Sequence, residues 1–395
     1  MTGTAGQESG RVGVWFVGAR GSVATTAVVG AAAIGLGMVG PTGMVSELPE
    51  FAGAGLVPVS RLVFGGHDVV DTPLTKRAEQ LADGGVFSPA LLDPAARALG
   101  TADQEVRAGS ARASGDEPQA TAAAALARDM VSFRERNRLG QVVVVNVSST
   151  EPPVPIRREY HDIAALEEAL AGSPDVLPPS SLYAYAALTA GCAYVDFTPS
   201  PGIRIPALRQ LAHQLSLPYA GSDGKTGETL VRAALGPMFA HRALRVRSWS
   251  GTNLLGGGDG ATLADPEAAA SKNASKRSGL TAMLGDQVEG RTHIDHVPSM
   301  GERKTAWDHI AFEGFLGTPM TMQFTWQGVD SALAAPLVLD LARFLARARQ
   351  LGASGPQEQL AFFFKDPIRA ENSSDEHRLV AQFETLRAWY QGGRP

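Results

Sequence analysis

The chain has 395 residues, 19% of them charged and 44% apolar, with a formal net charge of −5 and a pI near 5.9. That length accommodates two domains with full cores, and the acidic balance argues against a general nucleic-acid or membrane-surface binder, which needs a basic face. The lone cysteine, Cys192, excludes an internal disulfide and a cysteine-based zinc site, and its neighbours in AGCAYVDF read as the surroundings of a buried thiol.

The first ten residues carry no charged region followed by an apolar run, so no secretory signal is expected. Val12 to Val17 reads as a strand, Gly18-Ala19-Arg20-Gly21-Ser22 as a turn, and Val23 to Leu36 as an alanine-rich helix. Strand, glycine turn and helix N-terminus can cradle a pyrophosphate. The pattern is G-x-x-G-S rather than G-x-G-x-x-G, so a tight turn without a ligand is an equal reading. The longest apolar-rich run, 27–40, is too short and too rich in glycine to span a membrane, and a cytoplasmic enzyme is the expected class. Arg61 to Phe64 reads as a second strand leading into Gly65-Gly66-His67-Asp68. Asp68 could grip a ribose or cap the next helix, and it stands further from the glycine turn than the usual ~20 residues.

Residues 101–120 are small and polar and read as a loop; 122–138 reads as a helix. Gln141 to Val147 is a continuous apolar strand of the kind buried on both faces of a parallel sheet. It ends in Ser148-Ser149-Thr150, where open α/β sheets bind ligands. A helix over 181–190, a strand over 193–197 and a helix over 208–215 follow. Gly221-Ser-Asp223-Gly-Lys225-Thr226-Gly227 has too few residues between its glycines for a triphosphate loop, yet could present Asp223, Lys225 and backbone N–H groups to a ligand.

Residues 248–276 combine a glycine-rich turn holding Asp259 with an Asp265-Pro266 helix start and two lysines, Lys272 and Lys276, on one helical face. Like charges at that spacing repel, and an anionic ligand or a solvated basic face would each account for them. His293, Asp295 and His296 fall on two faces of a strand, which argues against metal chelation. Further strands read over 312–315 and 320–326. Asp330 to Pro336 leads into an amphipathic helix, 337–351, and 372–390 reads as a tail helix. Lys365 follows three phenylalanines; it is either partly desolvated and suited to proton transfer, or snorkels past an aromatic patch.

Taken together, NLLGGGDG (from Asn253), SKNASK, Met300-Gly-Glu-Arg-Lys304, Asp330-Ser331-Ala-Leu-Ala-Ala-Pro336, FFFKDP, SDGKTGET and VFGGHD resemble, in order and spacing, the myo-inositol-1-phosphate synthase family. The resemblance covers most of the chain. It implies an α/β fold: an NAD-binding Rossmann domain over 1–240, an inserted α+β catalytic and oligomerisation domain over 241–329, and a return to the first domain over 330–395. It implies a redox-neutral carbocyclisation of a hexose 6-phosphate, glucose 6-phosphate to myo-inositol 1-phosphate, by oxidation, enolisation, intramolecular aldol closure and re-reduction, with NAD as cofactor, no metal, and a homotetramer.

Carried over residue by residue, the resemblance makes Lys272, Lys276, Lys304, Lys365, Asp223, Asn253 and Asp259 catalytic. Lys272 and Lys365 are expected near the carbon that is oxidised, and Lys276 and Lys304 near the phosphate and aldehyde oxygens. Gly18, Ala19, Arg20, Gly21, Ser22, Asp68, Ser148, Thr150, Asp223, Asp259, Asp330 and Ser331 are expected around the cofactor. Lys225, Thr226, Gly227, Lys276 and Lys304 are expected at the substrate phosphate. The chain departs from the family at Arg20, Leu254, Gly257 and Gly258, where the family carries other side chains. Those departures leave room for a second substrate, fructose 6-phosphate, closed to a five-membered ring. A net dehydrogenase and a catalytically silent NAD-binding protein are the readings from other classes.

Overall fold

The computed structural model describes residues 10–109, 117–257, 283–285, 288–371, 373 and 376–392. Its larger sheet has seven strands: β1 (Val12–Val17), β2 (Leu62–Asp68), β3 (Val106–Ala108), β4 (Gln141–Asn146), β5 (Ala193–Asp196), β6 (Pro218–Gly221) and, last in the chain, β11 (Gly355–Pro356). They lie in the order 11-6-5-4-1-2-3 and every pair is parallel. The strand order reverses between β1 and β4, which opens a crevice at their carboxyl ends.

The helices on this sheet are α1 (Ser22–Gly35), α2 (Leu74–Asp83), α3 (Leu92–Gln104), α4 (Gln119–Arg136), α5 (Ile163–Gly172), α6 (Pro179–Thr189) and α7 (Pro206–Gln214). The alternating side chains of the central strands enter two cores. Val14, Phe16, Val143 and Val145 face α1 and α3, while Trp15, Val17, Val142 and Val144 face α4 to α7. This two-sided burial is why Val142 to Val145 form an unbroken apolar run.

Helix α8 (Glu228–His241) leaves the first sheet and supports a second, made of β7 (Arg245–Leu255), β8 (Thr292–His296), β9 (Arg303–Glu313) and β10 (Pro319–Val329) in the order 10-9-7-8. Only β7 and β8 run parallel; the other pairs are antiparallel. Val246, Trp249 and Ile310 on its inner face pack against Phe239 of α8. The chain then returns through α9 (Asp330–Gln350), which lies on the α1 side of the first sheet, and ends in α10 (Leu379–Tyr390). The fold class is the expected α/β Rossmann arrangement with an inserted second sheet.

Several element boundaries differ from the sequence reading. Residues 101–104 complete α3 and 106–108 form β3, so the first part of the expected 101–120 loop is regular structure. The second strand runs on to Asp68, and Pro73, not Asp68, precedes α2. Helix α9 begins at Asp330 and carries Pro336 within it; burial of 13 of its residues, Val338 to Leu341 among them, outweighs the lost backbone hydrogen bond. The tail helix starts only at Leu379.

Candidate functional site

The glycine turn after β1 is fixed from both sides. The Gly18 and Ala19 N–H groups donate to the His67 carbonyl at 3.0 and 3.1 Å. Gly18 has φ +90°, and a Cβ there would stand 3.0 Å from Ser148 Cα, so this position needs glycine for conformation and for space. Asp68 accepts from the backbone of Arg20 at 2.7 Å and of Val70 at 2.9 Å. A carboxylate has about four acceptor sites, which leaves capacity for ribose hydroxyls. The Arg20 side chain turns away to Asp103 (3.1 Å) and the Val70 carbonyl (2.8 Å). Ala19 is buried beside the turn.

Two cavities meet at this turn. One, of about 500 Å³, is bordered by Gly18, Arg20, Asp68, Ser148 and Tyr183. The other, of about 340 Å³, is bordered by Ser22, Thr150, Asp223, Lys304, Ser331 and Lys365. They share Gly21, Arg77, Val147, Ser148 and Ser149. The result is a bent trench around the N-terminus of α1, with the Asp68 carboxylate in one arm and lysines in the other. A dinucleotide suits it: pyrophosphate at the helix N-terminus, one nucleoside in each arm. Ser331 Oγ, buried in the lysine arm without a partner among the described residues, supports that fit.

Two lysine–aspartate pairs border the second arm. Lys304 of β9 pairs with Asp330, the first residue of α9, at 2.7 Å. Lys365 pairs with Asp223 at 2.7 Å, and the Lys365 N–H also donates to the Asp223 carbonyl at 2.7 Å. Residues 222–225 and 363–366 thus run as a short paired ribbon, with Ser222 N to Asp366 O at 2.9 Å and Lys225 N to Phe363 O at 2.8 Å. Beside them a recess of about 30 Å³ at the N-terminus of α8 is lined by Thr226, Gly227, Asn253, Lys304 and Lys365.

Lys225 is not in this group. Its ammonium is buried and donates to Gln382 of α10 at 2.6 Å, so the expected phosphate contact is replaced by a packing role. Burial pushes its pKa down to about 7, with Arg369 and Lys365 adding to the fall. Lys365, the lysine read as partly desolvated or snorkelling, is also buried, and it is paired with Asp223. Lys272, Lys276, Asp259 and Gly258 lie outside the described residues. Cys192 is buried and its thiol is pushed up to about 12, which makes it inert.

Behind the recess lies an ionic cluster the sequence reading passed over. Asn253 Nδ2 donates to Glu228 at 2.7 Å, Glu228 pairs with Arg232, and Arg232 pairs with Asp308 at 2.9 Å. Trp249 Nε1 also donates to Asp308, at 2.7 Å. Burial, and then the Glu228 charge, raise the Asp308 pKa. Arg77 and Glu302 were missed as well: Arg77 lies in no quoted motif, and Glu302, although inside Met300-Gly-Glu-Arg-Lys304, was given no role beside Lys304.

A family model described as NAD-binding, myo-inositol-1-phosphate synthase matches residues 53–391. Inositol-3-phosphate synthase 1 of Bacteroides thetaiotaomicron is 32% identical over 96% of this chain and 94% of its own length. A crystal structure of inositol-3-phosphate synthase from Caenorhabditis elegans superposes with a TM-score of 0.85 at 20% identity, covering 96% of this chain and 85% of that one. A myo-inositol-1-phosphate synthase-related protein from Thermotoga maritima superposes with a TM-score of 0.74 at 23% identity, covering 96% and 98%.

Proposed function

The chain belongs to the myo-inositol-1-phosphate synthase family, an NAD-using isomerase family, and from that membership we propose that it converts glucose 6-phosphate to an inositol phosphate. The observation that carries the reading is the convergence of two lysine–aspartate pairs, from four separate segments, on the lysine arm of the dinucleotide-shaped trench. Simple hydride transfer needs one acid or base; two ordered ammonium groups suit a reaction in which negative charge develops on substrate oxygens.

When bound, NAD supplies reversible hydride acceptance, which lets the overall reaction be redox neutral. The remaining roles belong to the chain. The N–H groups at the start of α8, with Thr226, Gly227 and Lys304, hold the substrate phosphate, a helix N-terminus and an ammonium acting together. Asp330 fixes Lys304, and Asp223 fixes Lys365, so neither ammonium reorganises as charge develops. Lys365 polarises the substrate carbonyl, stabilises the enolate that follows and holds the proton returned to oxygen. Asn253, held by Glu228, offers its carboxamide at the wall of the recess. The family resemblance assigns Lys272, Lys276 and Asp259, which lie outside the described residues, to the same chemistry.

Fructose 6-phosphate is the second reading, and Gly257 favours it: a residue without a side chain borders the lysine arm where the family carries an amide. Leu254, by contrast, projects from the face of β7 opposite Asn253 and Leu255, beside Thr305 and Asp295, and leaves the cavity unaltered. The test is to incubate the protein and NAD with each sugar phosphate, identify products by NMR and follow NADH absorbance. A cyclohexane product from glucose 6-phosphate without net NADH is expected. A cyclopentane product from fructose 6-phosphate alone would replace the substrate, and net NADH with an open-chain ketone would replace the reaction.

Oligomerisation belongs to this proposal. The outer face of the second sheet presents Trp307, 41% exposed, beside His309, and the β9–β10 turn presents Phe315 and Leu316, 88% and 87% exposed. These fit a tetramer built across that sheet. No described helix is long and apolar enough to cross a membrane, and we place the enzyme in the cytoplasm.

A further inference from the structure

Arg77 of α2 stands at the neck of the trench and is the one cation among the described residues that borders both cavities. Its Nη2 donates to Ser22 Oγ in the first turn of α1 at 2.6 Å and pairs with Glu302 at 3.0 Å, while Nη1 donates to Gln80 at 3.1 Å. The first turn of α1 contains no acidic residue, so the guanidinium adds to an already positive helix end. Arg20 borders only the first arm and is committed to Asp103 and the Val70 carbonyl, and Arg303 borders only the lysine arm.

Glu302 comes from the other sheet, in the turn between β8 and β9. That turn is seated without room for adjustment. A Cβ on Gly256 would fall 2.3 Å from the Gly301 carbonyl oxygen, and one on Gly84 would fall 3.3 Å from Glu302 Cγ. The Arg77–Glu302 pair therefore crosses the trench and joins α2 of the first sheet to the second sheet above it.

We propose that Arg77 is a ligand of the dinucleotide's pyrophosphate and that Glu302 straps it across the trench, so that the cofactor leaves only when this pair opens. The planar guanidinium suits both tasks. It has five donors in a fixed fork, of which three are engaged by Ser22, Glu302 and Gln80. A carboxylate beside two phosphates would repel them; with Arg77 between, the three anionic groups share one cation.

The test measures NADH binding to the full chain by nucleotide fluorescence, with no sugar phosphate present. Arg77→Met should raise the Kd at least tenfold, and Arg77→Lys should raise it less, since a point charge replaces a fork. Glu302→Gln should speed NADH dissociation at least threefold in stopped-flow displacement. Arg77 is a quarter exposed, and thermal melts without nucleotide check that each variant is folded; if the methionine variant fails, the lysine variant carries the test. An Arg77 variant that binds NADH within twofold of the parent overturns the assignment, and an unchanged dissociation rate in Glu302→Gln overturns the strap.

Discussion

Lys225 and Lys365 enter the same paired ribbon from opposite strands and end in opposite places. Lys365 meets Asp223 at the cavity wall, and Lys225 passes behind to Gln382. The first is the proposed functional group and the second a buried packing group, and they should fail differently when changed. Lys365→Ala or Lys304→Ala should reduce turnover by about 10²–10³-fold, the scale of losing a group that stabilises developing charge, while NAD still binds; wild-type-like rates in a product assay would remove that lysine from the mechanism. For Lys225 the expectation is thermodynamic. Its folded pKa, about 7, lies below the ordinary lysine value of 10.5. Between those values the unfolded chain holds a proton that the folded chain lacks. The penalty for burying Lys225 is therefore full below pH 7 and is relieved as pH rises toward 10.5, by at most about 1.4 kcal/mol per pH unit. Lys225→Met lacks this slope, so the stability difference between parent and variant, from urea titrations at pH 7 to 10, should shift toward the parent as pH rises. A difference independent of pH would show that Lys225 is charged in the folded state.

At the scale of elements, the parts nearest the first sheet's crevice were legible in the sequence because local rules govern them. A run such as QVVVVN can only be a strand buried on both sides, and a glycine turn after β1 has one geometry that keeps its N–H groups available. The reading failed where distant partners decide. Lys225 points away from the cavity because Gln382, 157 residues on, awaits it. Helix α9 extends back through Pro336 because its face is covered by α1 and by the 44–57 segment, where Val45 N donates to Asp340 at 2.6 Å and Arg343 donates to the Val57 carbonyl at 2.7 Å. The cluster linking α8 to β7 and β9 was invisible for the same reason, since Glu228, Arg232, Asn253 and Asp308 belong to no one motif. It holds two carboxylates against one guanidinium in a dry interior. Arg232→Met should destabilise the protein by about 3–5 kcal/mol, because two buried acids lose their cation. The loss should be larger at pH 8 than at pH 5, where protonation relieves the remaining repulsion. A variant that melts like its parent at both pH values would show the cluster to be solvated.

The whole molecule is two sheets joined through α8 and α9, with the candidate site where they meet. The outer face of the second sheet predicts the assembly state: Trp307→Glu should shift the protein toward smaller species in light scattering while leaving NAD binding unchanged, and an unaltered mass would move the interface elsewhere. The order of the strands has another consequence. The first sheet receives β11, and its core receives α9, only after all four strands of the second sheet have been laid down. On the ribosome, a chain that has emerged as far as residue 329 carries an open edge at β6 and a bare apolar face on α1. Its first-made half is thus the last to become complete, and a messenger cut at the end of the second sheet should encode an aggregating fragment rather than a small nucleotide-binding protein.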